Sequence, residues 1–560
     1  MGASRRTHDI IVLGGGHNGL VAAAYLARSG RRVALVERRH VLGGAAVTEE
    51  IVPGFKFSRA SYVYSLFRPQ IVKDLDLASR GLTLLPRVPS SFTPTPERGG
   101  RSLTLGAGDA ADVAAIAQHS TADAAAWPSY NAQLARFSAA LTPLLDRPPP
   151  DLAALVDVNT PWRDRLANAR DAAYAVRHLG SLGREIPDFL EFLTAPATRV
   201  LDRTFESDIL KATLATDAII GAFVPPSAPQ TSYVLLHHVM CGAWANVRGG
   251  MGALSAAIAR AAVEAGAELR TNSTVRRILV EGGGGHGGGT ASRAVGVELA
   301  DGTALRAPVV LSCAAPRVTF LDLLESQSES RGVLPDEFVR RIDGAGLSTG
   351  SVKINLALDR LPSFNCAPTP DGVAGPHHRG TIHFETDVAT IEAAFADAAG
   401  GRPSQRPVIE MTLPSVLDDS IAPPGKHVCL LFVQYAPYKL GGGAQWDAAS
   451  RAAFAARVYA VIESYAPGFT ASIVGEDILT PDLLEATFGL PGGNIFHGEM
   501  GLDALWAFRP APRWARHRTP VQGLYLGGAG AHPGGGVMGA AGRNAAAIVL
   551  ADIAADPRLQ

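Results

Sequence analysis

Residues 8–44, HDIIVLGGGHNGLVAAAYLARSGRRVALVERRHVLGG, constrain the fold more than any other part of the chain. A short apolar run, 10–13, suits a strand buried on both faces, and the turn Gly14-x-Gly16-x-x-Gly19 follows it directly. Gly14 permits the sharp turn, Gly16 lets backbone N–H groups approach a pyrophosphate, and Gly19 lets the following helix lie close to the sheet. The helix start adds a positive dipole end for phosphates. A second strand, 32–36, ends at Glu37, the spacing at which a carboxylate meets a ribose 2′-hydroxyl and repels a 2′-phosphate. A lone glycine pattern is weak, but this one has its strand, helix and terminal acid in place.

After Glu37 the sequence RRHVLGG brings Gly43 and Gly44 where a second loop would pass under a cofactor. In this it resembles the glutathione reductase-like FAD fold, which implies FAD rather than NAD. The C-terminal stretch GLYLGGAGAHPGGGVMGAAGRNAAAIVLADI reads as a strand, a glycine-rich turn and a helix of small residues. Its glycines, 534–536, stand just before Val537, where free backbone N–H groups suit the negative N1–C2 edge of a reduced flavin.

Between these ends the texture changes. Alanine-rich stretches such as 110–118 and 166–176 predict helices. GGMGALSAAIARAAVEAGAELRTNSTVRRILV predicts a glycine turn, an amphipathic helix ending near Gly266 and a strand carrying Val275. Strands then follow in 293–312 around a turn at Asp301-Gly302, and the low-complexity run 282–289 predicts a mobile hairpin loop. Further strands are expected over 352–358 and 428–434, and a helix over 447–465. Gly250-x-Gly252 is a poor candidate for a second nucleotide site. Ser255 stands at its third position, no strand is evident before it and no terminal acid follows. The expected fold is α/β: a Rossmann FAD domain assembled from segments 1–75, 245–318 and 491–560, with an α+β substrate domain inserted as 76–244, largely helical, and 319–490.

The formal net charge of −1 gives no basic surface to suggest nucleic acid. No apolar stretch has membrane-spanning length; the best, 218–224, stops at Pro225-Pro226. Nine residues before the first strand leave no room for a signal peptide, and Arg6 spoils the myristoylation pattern begun by Met1-Gly2, so an intracellular location is expected. Cys241, Cys313, Cys366 and Cys429 are far apart, with no C-x-x-C pair and no zinc spacing, so neither disulfide chemistry nor a metal site is expected.

The strings GHNGLVAAAYLARSG, ERRHVLGGAAVTEEIVPGFKFSRASY, TFESDILKATLATDAIIGAF, GAWANVRGGMGAL, FGLPGGNIFH and GAHPGGGVMGAAGRNAA together resemble the pyridine nucleotide-disulfide oxidoreductase domain-containing protein 2 family. That family sits among the phytoene desaturase-related FAD oxidoreductases. The resemblance implies hydride transfer from a carbon or amine centre to flavin N5, by a dehydrogenase, desaturase or oxidase. It implies that Gly14, Gly16, Gly19, Glu37, Arg38, Gly43 and Gly44 hold the ADP half, that Val275 lies against the adenine, and that His532, Gly535, Gly536 and Val537 lie at the flavin ring. It further implies a cytoplasmic protein in a bacterium or a mitochondrial matrix protein in a eukaryote. The disulfide of the family name has no cysteine pair here, and the stretch after Met240 is shorter than the family pattern.

Hydride transfer needs a dry, oriented pocket more than a strong acid or base, because the cofactor carries the hard step. His532 is the candidate polar group beside the flavin, with a turn-bracing role as the alternative. Lys353, in SVKINLALD, is a candidate to approach flavin N5 through water as lysines do in amine oxidases, the alternative being a solvent-facing lysine. His497 has a weaker claim, and the adjacent His237 and His238 would point to opposite faces of a strand. Two functions are open. One is an FAD-dependent oxidoreductase acting on a small hydrophobic substrate taken from solution or a bilayer surface, with oxygen or a quinone as acceptor. The other is a flavin-holding regulatory or scaffold protein with little turnover. A protein partner or oligomer is compatible with either.

Overall fold

The computed structural model describes residues 7–158, 160–240, 244–282, 292–327, 330, 332–370 and 372–560. Its first layer is a five-stranded parallel sheet in the order Leu524–Leu526, Val309–Ser312, Ile10–Leu13, Val33–Val36, Glu268–Arg270. The strands come from three separated stretches of chain. Ile10, Ile11, Val12, Val33, Ala34, Leu35 and Val36 are all buried, as a parallel strand covered on both faces requires. One face is covered by the helices His17–Arg28, Met251–Glu264 and Ala540–Ala555. The other meets an antiparallel meander of Val275–Glu281, Arg293–Leu299 and Ala304–Arg306.

Small residues set how closely these layers approach. A Cβ on Gly19 would sit 2.0 Å from the Gly14 carbonyl oxygen, and one on Gly542 would sit 2.0 Å from that of Asn18. Neither helix could keep its place with a larger residue there.

A seven-stranded sheet forms the second region, in the order Ile473–Leu479, Val352–Leu358, His427–Gln434, Val408–Thr412, Thr381–His383, Ser91–Thr93, Leu103–Leu105. It is antiparallel except where Thr381–His383 runs parallel to Ser91–Thr93. Helix Ala448–Tyr465 packs on it through Phe454, Val458 and Ile462. A helical layer that includes Thr121–Leu145, Asp208–Asp217 and Thr231–Val239 closes the opposite side over a separate apolar core. The architecture is thus a three-segment Rossmann domain of the FAD-binding type carrying an α+β insertion.

Several local readings change. The 218–224 stretch is a run of turns and bends after helix Asp208–Asp217. His237 and His238 lie on helix Thr231–Val239, where neighbours are about 100° apart, rather than on a strand. A strand, Ala245–Val247, does precede Gly250, but it pairs antiparallel with Leu84–Pro86 outside the parallel sheet. The final helix begins at Ala540, leaving 534–538 as loop. The hairpin loop expected over 282–289 lies outside the described residues beyond Gly282, as does Cys241. Among the described residues no helix is long and apolar enough to cross a membrane, and no cluster of three or more His, Cys, Asp or Glu is placed to hold a metal.

Candidate active site

A single cavity of about 570 Å³ runs from the Gly14–Gly19 turn of the parallel sheet to the inner face of the seven-stranded sheet. At the first end Gly14 takes φ +98°, a left-handed conformation that favours glycine. A Cβ added to Gly16 would meet only the Cα of Gly44, at 4.0 Å, so the wall there is open. Glu37, buried at the end of Val33–Val36, accepts the Gly15 N–H at 2.7 Å and the Arg39 N–H at 2.8 Å. Two backbone donors thereby fix its carboxylate, which faces the cavity with acceptor capacity to spare. Arg38 also lines the wall and donates to the carbonyls of Ala486 and Thr487, and Val275 lines it two residues after Ser273, whose N–H donates to the Glu37 carbonyl at 2.8 Å.

The second loop sits under the first. Gly43 donates to the Gly15 carbonyl at 2.8 Å, and its own φ of +118° and the Ala46 oxygen, 2.5 Å from any added Cβ, exclude a side chain. Cys313 borders Gly14, and burial pushes its thiol up to about 12, so it is held as a neutral thiol.

Four buried nitrogens on this wall lack hydrogen-bond partners among the described residues: His17 Nε2, Arg39 Nη1 and His497 Nδ1 toward the glycine turn, and Trp127 Nε1. Burial lowers His17 to about 4 and His497 to about 3, so both are neutral near pH 7. Orphaned polar atoms along an elongated cavity, an open glycine cradle and a fixed carboxylate fit an FAD molecule laid from Glu37 toward Gly536 and Val537.

At the far end Lys353 is buried on strand Val352–Leu358 and faces the cavity. Its Nζ donates to Asn355 Oδ1 and lies 5.5 Å from the Tyr62 ring centre. Burial lowers this lysine to about 7, against the pull of Asp477, so it can exchange a proton near neutrality. Glu410 accepts the Tyr62 hydroxyl at 2.7 Å and is pushed up to about 8 by burial, with Asp217 and Glu385 adding to the shift. Asp217, the last residue of helix Asp208–Asp217, is raised to about 7 by burial. His383 holds Thr216 Oγ1 through Nδ1 at 3.3 Å and is lowered to about 3 by burial, hence neutral.

Of the residues singled out by sequence, Gly14, Gly16, Gly19, Glu37, Arg38, Gly44, Val275, Lys353, Gly536 and Val537 share this wall. Gly43, Gly535 and His532 are not on it. A Cβ on Gly535 would run into Phe496, so that glycine lets the loop rest on the phenyl ring. His532 is 1% exposed, with Nε2 3.2 Å from the Leu144 carbonyl and its ring against Trp506. It braces the loop from outside the cavity. Tyr62, Asp217, His383 and Glu410 went unnoticed in the sequence, where the available signal was a lone acid in each of the apolar strings ATLATDAIIG and VIEMT.

Residues 12–75 match the NAD(P)-binding Rossmann-like domain. One of the limonene dehydrogenase polypeptides of Castellaniella defragrans is 28% identical, covering 97% of this chain and 95% of its own. A solved oxidoreductase from Methanosarcina mazei shares the fold at 15% identity, with a TM-score of 0.56 over 97% of this chain and 99% of its own. Pyridine nucleotide-disulfide oxidoreductase domain-containing protein 2 of Rattus norvegicus is 51% identical over 99% of this chain and 95% of its own. With half of all positions shared along nearly the full length, the chain belongs to the family of the pyridine nucleotide-disulfide oxidoreductase domain-containing protein 2, an oxidoreductase family.

Proposed function

We propose that the protein binds FAD and oxidises a mainly apolar substrate by hydride transfer from carbon. The observation that carries this reading is the continuity of one cavity, from the glycine turn and Glu37 to a pocket floored by Lys353 and Phe432. Flavin supplies the hydride acceptor when bound. Glu37 and the Gly14–Gly19 turn hold its nucleotide half, and Gly536 and Val537 offer backbone at the ring. Trp127, Leu214, Ile220 and Phe432 supply apolar walls that exclude water from the reacting carbon. Lys353, neutral or charged near pH 7, holds or gives up a proton at Nζ beside that carbon. An apolar substrate body accords with a relative named for limonene. Oxygen or a quinone is the proposed final acceptor.

Purified protein should show bound-flavin absorption, and the released nucleotide should be FAD. An anaerobic screen of terpenes, polyenes, lipids and amines should then find compounds that bleach the flavin. Protein that stays colourless and takes up no FAD ends the proposal. Reduction by none of them, with tight capture of a protein partner, would replace it with a flavin-holding role.

A further inference from the structure

Antiparallel pairing sets Lys353 opposite Phe432, Phe432 opposite Glu410, and Glu410 opposite His383. Directly opposed residues share a face of the sheet. All four line the cavity. With strands about 4.8 Å apart, Glu410 stands about 10 Å from Lys353 along this row. Tyr62 roofs the row, its ring 6.0 Å from that of Phe432 and its hydroxyl on Glu410. The floor of the cavity is therefore polar at Lys353, apolar at Phe432 and polar again at Glu410.

The second polar point carries more acid than cation. Glu410 is 6% exposed, and Tyr62 satisfies only its Oε2; Oε1 has no partner among the described residues. Asp217 lines the same end, close enough to push Glu410 further up, and its carboxyl has no hydrogen-bonding or ion-pair partner among the described residues. No cation among the described residues answers them from the wall at this end. Arg87 lies behind the lining, where its charge pulls Glu410 part of the way back down; it donates to Thr381 Oγ1 and the Arg379 carbonyl, and one cation is set against two acids. His383 is neutral, and Lys353 is two strands away. Unpaired carboxyls in a dry cavity are stable only when protonated or when a positive group pairs with them.

We propose that the far end of the cavity recognises a positively charged nitrogen, so that the substrate is elongated, with an apolar middle and an ammonium group about 10 Å beyond the carbon that faces Lys353. This rests on the reading that the flavin ring lies at the Gly536–Val537 end. Phe432 and Tyr62 hold the apolar middle, and Asp217 with Glu410 Oε1 accept hydrogen bonds from the ammonium, which has three donors to give. An uncharged hydrocarbon would leave the Asp217 carboxyl and Glu410 Oε1 without a partner, and a carboxylate would be repelled.

The test is equilibrium binding to FAD-loaded protein by titration calorimetry, with octylammonium, 1-octanol and octanoate as probes. Octylammonium should bind roughly tenfold or more tighter than octanol, and octanoate weakest. The double variant Asp217→Asn, Glu410→Gln should lose that preference while binding octanol as before. Pairing also strips protons from the two carboxyls, so the binding heat of octylammonium should depend on the buffer's ionisation enthalpy. Octanol binding as tightly as octylammonium, or a preference unchanged in the double variant, would overturn the proposal. If the double variant does not fold, Asp217→Asn alone and the wild-type order of the three probes decide it. Binding is read without turnover, so selective amine binding by protein that takes up no FAD would uphold the cation site and sink the flavin reading instead.

Discussion

Tyr62 donates its hydroxyl to Glu410 at 2.7 Å while its ring lies beside Phe432 and under Lys353 Nζ. Tyr62 belongs to the N-terminal stretch that also carries Glu37 and Gly44, whereas Glu410 sits on a strand of the seven-stranded sheet. One aromatic side chain thus links the stretch that carries the glycine-turn end of the cavity to the face of the seven-stranded sheet. A change of charge on Glu410 is therefore felt at the ring beside Lys353 Nζ.

Gly16 and Gly19 should fail in different ways. Space for a side chain exists at Gly16, where only Gly44 Cα lies within reach, so Gly16→Val should fold with a Tm close to that of the parent yet lose most of its FAD. At Gly19 the Gly14 carbonyl lies 2.0 Å from an added Cβ, and Gly19→Ala should lower Tm and yield whether or not FAD is supplied. Thermal melts alongside flavin-to-protein ratios check both. A Gly16→Val protein with full flavin content would refute the pyrophosphate assignment.

NADH and NADPH should be poor reductants. The helix that follows Gly250 has its leading N–H groups taken up inside the protein, Met251 by Ser58 Oγ at 3.0 Å and Gly252 by Thr48 Oγ1 at 2.9 Å. Thr48 also fills the space that a phosphate would need, with its backbone nitrogen 2.5 Å from an added Gly252 Cβ. Anaerobic stopped-flow mixing should show no fast bleaching of the flavin by either nucleotide.

The Rossmann unit is legible in sequence because its constraints are local. A glycine turn, a buried strand and a terminal acid lie within one βαβ unit, and Lys353 stands out only through its likeness to the lysines of amine oxidases. The far end of the cavity is not, because Tyr62, Asp217, His383 and Glu410 meet only through strand register and a helix end distant in the chain. Which of the two roles open to His532 it takes is not legible for a similar reason. A glycine-rich turn fixes that its neighbours approach something closely, but not which side of the loop faces the cavity.

Lys353 and His532 should therefore separate in mutagenesis. Lys353→Met keeps the bulk of the side chain and removes its proton, and should slow substrate-driven flavin reduction or reoxidation roughly tenfold or more with FAD content unchanged. His532→Ala removes a buried ring from beside Leu144 and Trp506, so it should lower Tm by a few degrees and leave the rate per bound flavin unchanged. A rate loss confined to His532→Ala would return that histidine to the reacting centre.

The last prediction concerns pH. Asp217 and Glu410 have folded-state values raised to about 7 and about 8, above the ordinary 3.8 and 4.5, with burial as the first cause of each. Below about pH 3, both groups are neutral in either state and folding carries no penalty from them. As pH rises, the unfolded chain gives up these protons first, and the folded state loses stability until its own carboxyls ionise near pH 7 to 8. Asn and Gln do not titrate. Asp217→Asn, Glu410→Gln should therefore gain stability over the parent as pH rises, with a Tm difference larger by roughly 1–3 °C at about pH 8.5 than at about pH 5. The buried histidines, such as His383, act in the opposite direction below about pH 6.5, but they are common to both proteins and cancel in the difference. Melts of the two proteins across this range decide the matter, and a difference that stays flat with pH would mean that these carboxyls ionise at their ordinary values and that water reaches them freely.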